Sequence, residues 1–172
     1  MLFYFNIIFL LFIAITSRSV IAQTCHPIPH EEDDSTRFAA QNNGTIKDNK
    51  TGLIWKQCSE GLSGVGCEVG NPTSYNWQDA IEHAKKLNVS GFAGFTDWRV
   101  PNDQELLSIV ERHCYSPSIN ISFFPNTEAS YWTSSSIVNR ENFAWSIHFD
   151  YGYPDWDFKQ GKNYLRLVRA GK

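Results

Sequence analysis

The sequence predicts an α+β domain, because two helical patterns come first along the chain and a group of antiparallel strands follows them. The repeated strand–helix–strand order of a parallel α/β sheet does not occur in it. Four cysteines among 172 residues indicate that disulfides stabilise the fold. We therefore expect two helices packed on antiparallel strands.

Start signals and apolar spacing define the two helices. Asn76 is a suitable N-cap for a helix that runs to about Asn88. The apolar face of this helix consists of Ala80, Ile81, Ala84 and Leu87. In the second helix, Asn102 and Glu105 have the spacing of a reciprocal capping box. His83 points away from the apolar face of the first helix, so we expect it to be exposed.

The strands are predicted from turn residues and from the alternation of apolar and polar residues. A polar turn separates residues 45–47 from 53–56, which indicates a hairpin. Later strands are expected over 131–137, 143–149 and 163–169. In the second of these, every other residue is apolar: Phe143, Trp145, Ile147 and Phe149.

Four cysteines allow three disulfide pairings. Cys58 and Cys67 enclose a glycine-rich loop that has no helix or strand pattern, so a local bridge between them is favoured. Cys25 and Cys114 would then form the second bridge and hold the N-terminal segment. A zinc site requires closer pairs of cysteine or histidine than this spacing gives.

Residues 1–22 have the pattern of a signal peptide, with an apolar run over 2–15 and small residues before Gln23. An uncleaved membrane anchor is the alternative, although that run is shorter than the roughly 20 residues of a span. We expect no stable membrane insertion after cleavage. Residues 23–42 are predicted to be an N-terminal arm, and 43–172 the folded domain.

Without residues 1–22, the chain has 14 basic and 18 acidic residues. The resulting formal net charge of −4 argues against nucleic-acid binding.

Three strings in a fixed order carry a family resemblance. They are F-T-D-W-R-V-P at 95–101, followed by E-L-L at 105–107, then Y-W-T-S-S at 131–135 and Y-L-R-L-V-R at 164–169. With these strings the chain resembles the Lcl C-terminal domain family, named for a collagen-like bacterial adhesin, over roughly residues 43–171. The resemblance implies a C-type-lectin-like fold and a bacterial, surface-associated recognition domain.

Within the first string, Asp97 and Arg99 are predicted to bond backbone groups or each other, while Trp98 fills the core. This structural role is favoured over an active-site cluster. Trp132 in the second string is assigned to the same structural motif.

The best candidate for a ligand-binding loop is the segment 151–158, which joins two predicted strands. It combines aromatic rings with carboxylates in Tyr151, Tyr153, Asp155, Trp156 and Asp157. Sugar recognition requires flat apolar faces and fixed polar groups, and a loop on a rigid sheet can present both. The alternative is a hairpin whose aromatics cover the sheet. Calcium is disfavoured, because the strings typical of calcium-dependent lectins are missing.

The resemblance also implies that positive surface binds sulfated glycosaminoglycans. Basic residues near the C-terminus include Arg166, which we count as a ligand-binding candidate, and Arg169. Their separation of three residues places them on opposite faces of a strand.

Catalysis has little support in the sequence. No cysteine follows Cys114, which excludes the two-cysteine chemistry of the formylglycine-generating enzyme of the lectin-like superfamily. The five histidines are scattered, and no nucleophile with a nearby base is indicated.

Taken with the resemblance, these observations predict an exported, periplasmic or extracellular, non-enzymatic domain without cofactor or metal. Its expected partner is a glycan or a cell-surface protein. The alternatives are a structural or assembly module, which could form homo-oligomers, and, more distantly, an enzyme of unknown type.

Overall fold

The structure is a computed structural model that describes residues 22–27 and 36–171. The predicted signal peptide therefore lies outside the described residues, apart from Ala22. Among the described residues, no helix has the length and apolarity that crossing a membrane requires.

Two helices and thirteen short strands make up the described part of the chain. The helices are α1 (Trp77–Ser90) and α2 (Asp103–Ser108). The strands before the helices are β1 (Thr24–Cys25), β2 (Phe38–Gln41), β3 (Thr45–Asp48), β4 (Leu53–Lys56), β5 (Leu62–Ser63), β6 (Val69–Gly70) and β7 (Ser74–Tyr75). The strands after them are β8 (Cys114–Tyr115), β9 (Ser130–Ile137), β10 (Arg140–His148), β11 (Tyr153–Phe158), β12 (Asn163–Tyr164) and β13 (Val168–Ala170).

These strands form two main sheets and two small pairs. The larger sheet has the order β11-β10-β9-β12-β7, and the smaller one has the order β13-β4-β3-β2. The small pairs are β1 with β8 and β5 with β6. Strand β12 runs parallel to β9, while the other paired strands are antiparallel. The predicted α+β class is confirmed.

Both helices begin where their caps predict. The side chain of Asn76 accepts a hydrogen bond from the backbone N–H of Asp79. Asn102 and Glu105 form the complete capping box, in which each side chain accepts from the other residue's backbone. These bonds satisfy amide groups that the first turn of a helix leaves without partners.

The core consists of two apolar clusters, one of which contains Trp55 and the other Trp98 and Trp132. The indole N–H groups of the last two donate to the carbonyl oxygens of Phe92 and Tyr75. A buried indole N–H usually has an acceptor, and these two bonds help to fix both rings in place.

Both predicted disulfides are confirmed. Cys25 is bonded to Cys114, beside the pairing of β1 with β8. Cys58 is bonded to Cys67 and closes the glycine-rich loop. The predicted arm over 23–42 is thus tied to the domain, and it contributes β2 to the smaller sheet.

The prediction of a single terminal strand over 163–169 was wrong. It divides into β12 and β13, which belong to different sheets, and the buried segment between them includes Arg166. The strand ends because this segment crosses from one sheet to the other through the core.

Asp97 and Arg99 have side-chain partners that were not predicted, and Trp98 is buried as expected. The Asp97 carboxylate accepts from the guanidinium of Arg169 at 2.7 Å. Arg99 instead makes a bidentate bond to Glu105, at 2.6 and 2.7 Å. These two bonds link the loop to β13 and to α2.

Candidate functional site

The predicted ligand loop is mostly a strand. Residues 153–158 form β11, which pairs in regular register with β10, and only 149–152 form the connecting turn. Because β11 lies at the edge of the five-stranded sheet, its other side has no strand neighbour in the described chain. We call β10, β11 and the turn between them the aromatic ribbon.

The turn of the aromatic ribbon depends on Gly152. Its φ of +73° lies in the left-handed region that favours glycine. An added Cβ would lie 2.8 Å from a methyl group of Val110 and 2.9 Å from the hydroxyl of Ser118. The turn therefore packs directly against the segment that follows α2.

We expect Gly152→Ala to lower the free energy of unfolding by about 2–4 kcal/mol, from backbone strain and from crowding. Gly52→Ala is the matched control, because Gly52 has a φ of +74° and no atom within 4 Å of an added Cβ. That control should cost only about 1 kcal/mol. Urea unfolding measures both, and equal losses would contradict the steric argument.

Strand register divides the aromatic ribbon into two faces. Phe143 pairs with Phe158 and Trp145 with Trp156, which places these four rings on one face. On the other face Ser146 pairs with Asp155 and His148 with Tyr153. The aromatic rings that the sequence placed together in one loop thus belong to two separate surfaces.

The tryptophan face consists of Arg140, Phe143, Trp145, Trp156 and Phe158. The ring centroids of Phe143 and Phe158 are 4.1 Å apart, and the edge-to-face pair of Phe143 and Trp156 is at 5.1 Å. The Arg140 guanidinium lies 5.1 Å from the Trp156 ring centroid. Trp156 and Phe158 remain 44% and 60% exposed. This face offers apolar ring surface beside one cation.

The tyrosine face consists of His148, Tyr151 and Tyr153. Their three rings are nearly parallel, with centroids 5.5 to 6.2 Å apart. Tyr151 and Tyr153 are 66% and 44% exposed, whereas the Nδ1 atom of His148 is buried without a hydrogen-bond partner among the described residues. Asp155 and Asp157 lie on this face by register.

Both carboxylates of β11 are oriented by hydrogen bonds. Asp155 accepts from the backbone N–H of Trp156 at 2.8 Å, and Asp157 accepts from the Asn163 amide at 3.1 Å. Fixed acceptors of this kind suit hydroxyl donors of a ligand. The one group of nearby metal-ligand atoms found among the described residues is at Cys25, His113 and Cys114, where both sulfurs are in the disulfide.

Arg166 is not part of this surface. Its side chain is fully buried, and its guanidinium donates to the carbonyl oxygens of Lys56 and Gln57 and to the hydroxyl of Thr127. Its expected role in ligand binding at the surface is therefore corrected to a role inside the fold.

Three residues of the two faces were missed by the sequence. They are Arg140, Phe143 and His148, none of which was predicted as a binding residue. The signal was the cross-strand pairing of two aromatic segments, which only becomes visible once 153–158 is recognised as a strand. Gly152 and Pro154 are typical of turns, and for that reason the strand was not predicted.

The family of the chain follows from a comparison with known families. The model of the Lcl C-terminal domain matches residues 44–169, and the chain belongs to the Lcl C-terminal domain family. The matched segment includes the aromatic ribbon and both main sheets apart from β2 and the last residue of β13. A comparison with curated proteins found no match to this chain.

Proposed function

We propose that this protein is an exported, non-enzymatic recognition domain of C-type-lectin-like fold that binds a glycan at the bacterial cell surface. The single observation that supports this most is the set of four exposed aromatic side chains on the aromatic ribbon. The proposal places a sugar chain along this ribbon, with ring faces against its apolar side and carboxylates at its hydroxyls.

Exposed aromatics on a rigid strand require a physical reason, because burying such rings contributes strongly to stability. Soluble domains keep contiguous apolar patches small unless the patch contacts a partner. Here Trp156 and Phe158 are exposed while their strand is held by six consecutive register pairs with β10. The ribbon is therefore preorganised for contact with a ligand.

The compartment follows from the same proposal. Two disulfides fit an oxidising environment, and the family is named for an adhesin. We accordingly place the protein in the periplasm or outside the cell. The proposed domain requires no cofactor or metal.

The test compares Trp156→Ala with Tyr153→Ala, since both side chains are 44% exposed on opposite faces of β11. Titration calorimetry of the oxidised protein against neutral, acidic and sulfated polysaccharides should detect binding. Loss of about tenfold in affinity, or ~1.4 kcal/mol, in one variant identifies the binding face. The proposal would be overturned if both variants bound with wild-type affinity. It would also be overturned if the wild type bound none of the polysaccharides.

The second candidate function is an assembly module. Strand β11 is an edge strand with exposed rings, and such an edge can pair with a protein partner or with another copy of the chain. Sedimentation equilibrium of the wild type beside Trp156→Ala tests it. An oligomer that dissociates in the variant would favour assembly over glycan binding.

A further inference from the structure

A cavity of about 510 Å³ has no residue of the aromatic ribbon in its lining. It opens between the turn that joins β2 to β3 and the loop closed by the Cys58–Cys67 disulfide. Two other described cavities measure about 360 Å³ each. A volume of this size is in the range of small-ligand sites.

The walls of this cavity combine apolar surface with amides. Apolar surface comes from Leu62, Val65 and the ring of Phe92. Four uncharged amide side chains also line it, those of Gln41, Asn42, Asn43 and Gln57. Each amide can both donate and accept, as adjacent hydroxyl groups of a sugar require.

The cavity is held open by bonds between its two walls. The backbone N–H of Gln57 donates to the carbonyl oxygen of Gly44 at 3.0 Å, which links the end of β4 to the β2–β3 turn. The side-chain amide of Gln57 donates to the carbonyl oxygen of Val65 at 3.1 Å. The disulfide restrains the same loop, so the shape exists before any ligand arrives.

Lys56 gives this cavity its charge character. The residue is only 8% exposed, and its ammonium donates to Glu60 at 2.6 Å while lying 4.4 Å from the Phe92 ring centroid. The second oxygen of Glu60 is 2.7 Å from Nε2 of His83. The lysine charge is therefore already balanced inside the protein, which leaves no excess cation for an acidic ligand.

We propose that this cavity binds the terminal one or two residues of a neutral saccharide. The side-chain amides bond its hydroxyl groups, and the apolar walls cover the hydrophobic face of the ring. The site is independent of the function proposed for the aromatic ribbon, because the two surfaces share no residue.

The test follows amide chemical shifts of the oxidised protein during titration with glucose, galactose, mannose, N-acetylglucosamine and their disaccharides. Val65→Trp places a bulky ring at the cavity wall. Val89→Trp is the matched control, because both valines are 89% exposed and Val89 lies on α1 outside the lining. We expect shifts near Gly44, Gln57 and Phe92 for at least one sugar.

The expected result is an affinity at least about tenfold weaker in Val65→Trp, with wild-type affinity in Val89→Trp. Trp156→Ala should also keep this binding, which separates it from binding at the aromatic ribbon. The proposal is overturned if none of these neutral sugars shifts these amides, or if Val65→Trp binds the sugar with the same affinity as the wild type.

Discussion

Glu60→Gln is expected to lower the free energy of unfolding by about 3 kcal/mol at neutral pH, because it leaves the buried Lys56 ammonium without a counter-charge. Glu60 is 4% exposed, and its two oxygens contact Lys56 and His83. Glutamine fills the same volume but carries no charge. Chemical denaturation with urea at about pH 7 measures the loss.

The pH dependence of this effect has a definite sign. Burial raises the pKa of Glu60, but the hydrogen bond to His83 and the charge of Lys56 outweigh it, so the pKa is lowered from its ordinary 4.5. A lowered folded-state pKa contributes stability that is fully present above the unfolded value and is lost as the pH falls through the folded value. The difference between wild type and Glu60→Gln should therefore shrink below about pH 4.5.

Glu82→Gln provides the matched control. Glu82 also pairs with a lysine, Lys85, at 2.8 Å, but on α1 the two side chains are 41% and 66% exposed. Solvent screens such a pair, so the control should leave stability nearly unchanged. If both variants lost the same free energy of unfolding, the burial argument would be wrong.

Arg166→Met is expected to lower the free energy of unfolding by about 2–4 kcal/mol. The guanidinium donates to two backbone carbonyl oxygens and to the hydroxyls of Ser59 and Thr127, and it lies 5.0 Å from the Phe124 ring centroid. Methionine fills much of this space but has no donor for these acceptors. Thermal and urea unfolding report the change.

Two further variants make the Arg166 prediction sharper. Arg166→Lys keeps the charge but loses the planar fork, so it should recover only a minor part of the stability. Lys162→Met removes a cation at an exposed position just before β12 and should be nearly neutral. Full recovery by lysine would show that charge alone, rather than the fork, stabilises this segment.

Local signals in the sequence were sufficient for several features of the fold. The Asn76 cap and the Asn102–Glu105 box depend on residues three apart, so they can be recognised without knowing the tertiary structure. The β3–β4 hairpin and the start of β9 follow from short patterns of the same kind. The two disulfides followed from the loop between Cys58 and Cys67.

The features that the sequence could not predict depend on distant partners. Arg166 bonds carbonyls more than 100 residues earlier, and Arg169 pairs with Asp97 across 72 residues. His83 was expected to be exposed, yet it bonds Glu60, which precedes it by 23 residues. The local sequence does not show that a charged residue of a strand is buried, because the hydrogen-bond acceptors that make its burial possible belong to other elements.

The candidate site was predicted in part. Four aromatics of the segment 151–158 are exposed, as a ligand surface requires. Their division between two faces was not predicted, because a loop has no fixed alternation whereas a strand does. Which face binds a ligand is therefore a question that the sequence alone did not raise.

The Cys25–Cys114 disulfide has a mechanical consequence. When the two ends of the domain are pulled apart, tension entering before Cys25 passes through the sulfur bridge directly to Cys114. The residues between them, which include both helices and the proposed sugar cavity, carry no load along their backbone. The force acts instead on the segment after Cys114, and thus on the aromatic ribbon. A pulling force would therefore reach the aromatic ribbon along the backbone, and the cavity only through noncovalent contacts such as the hydrogen bonds between β13 and β4.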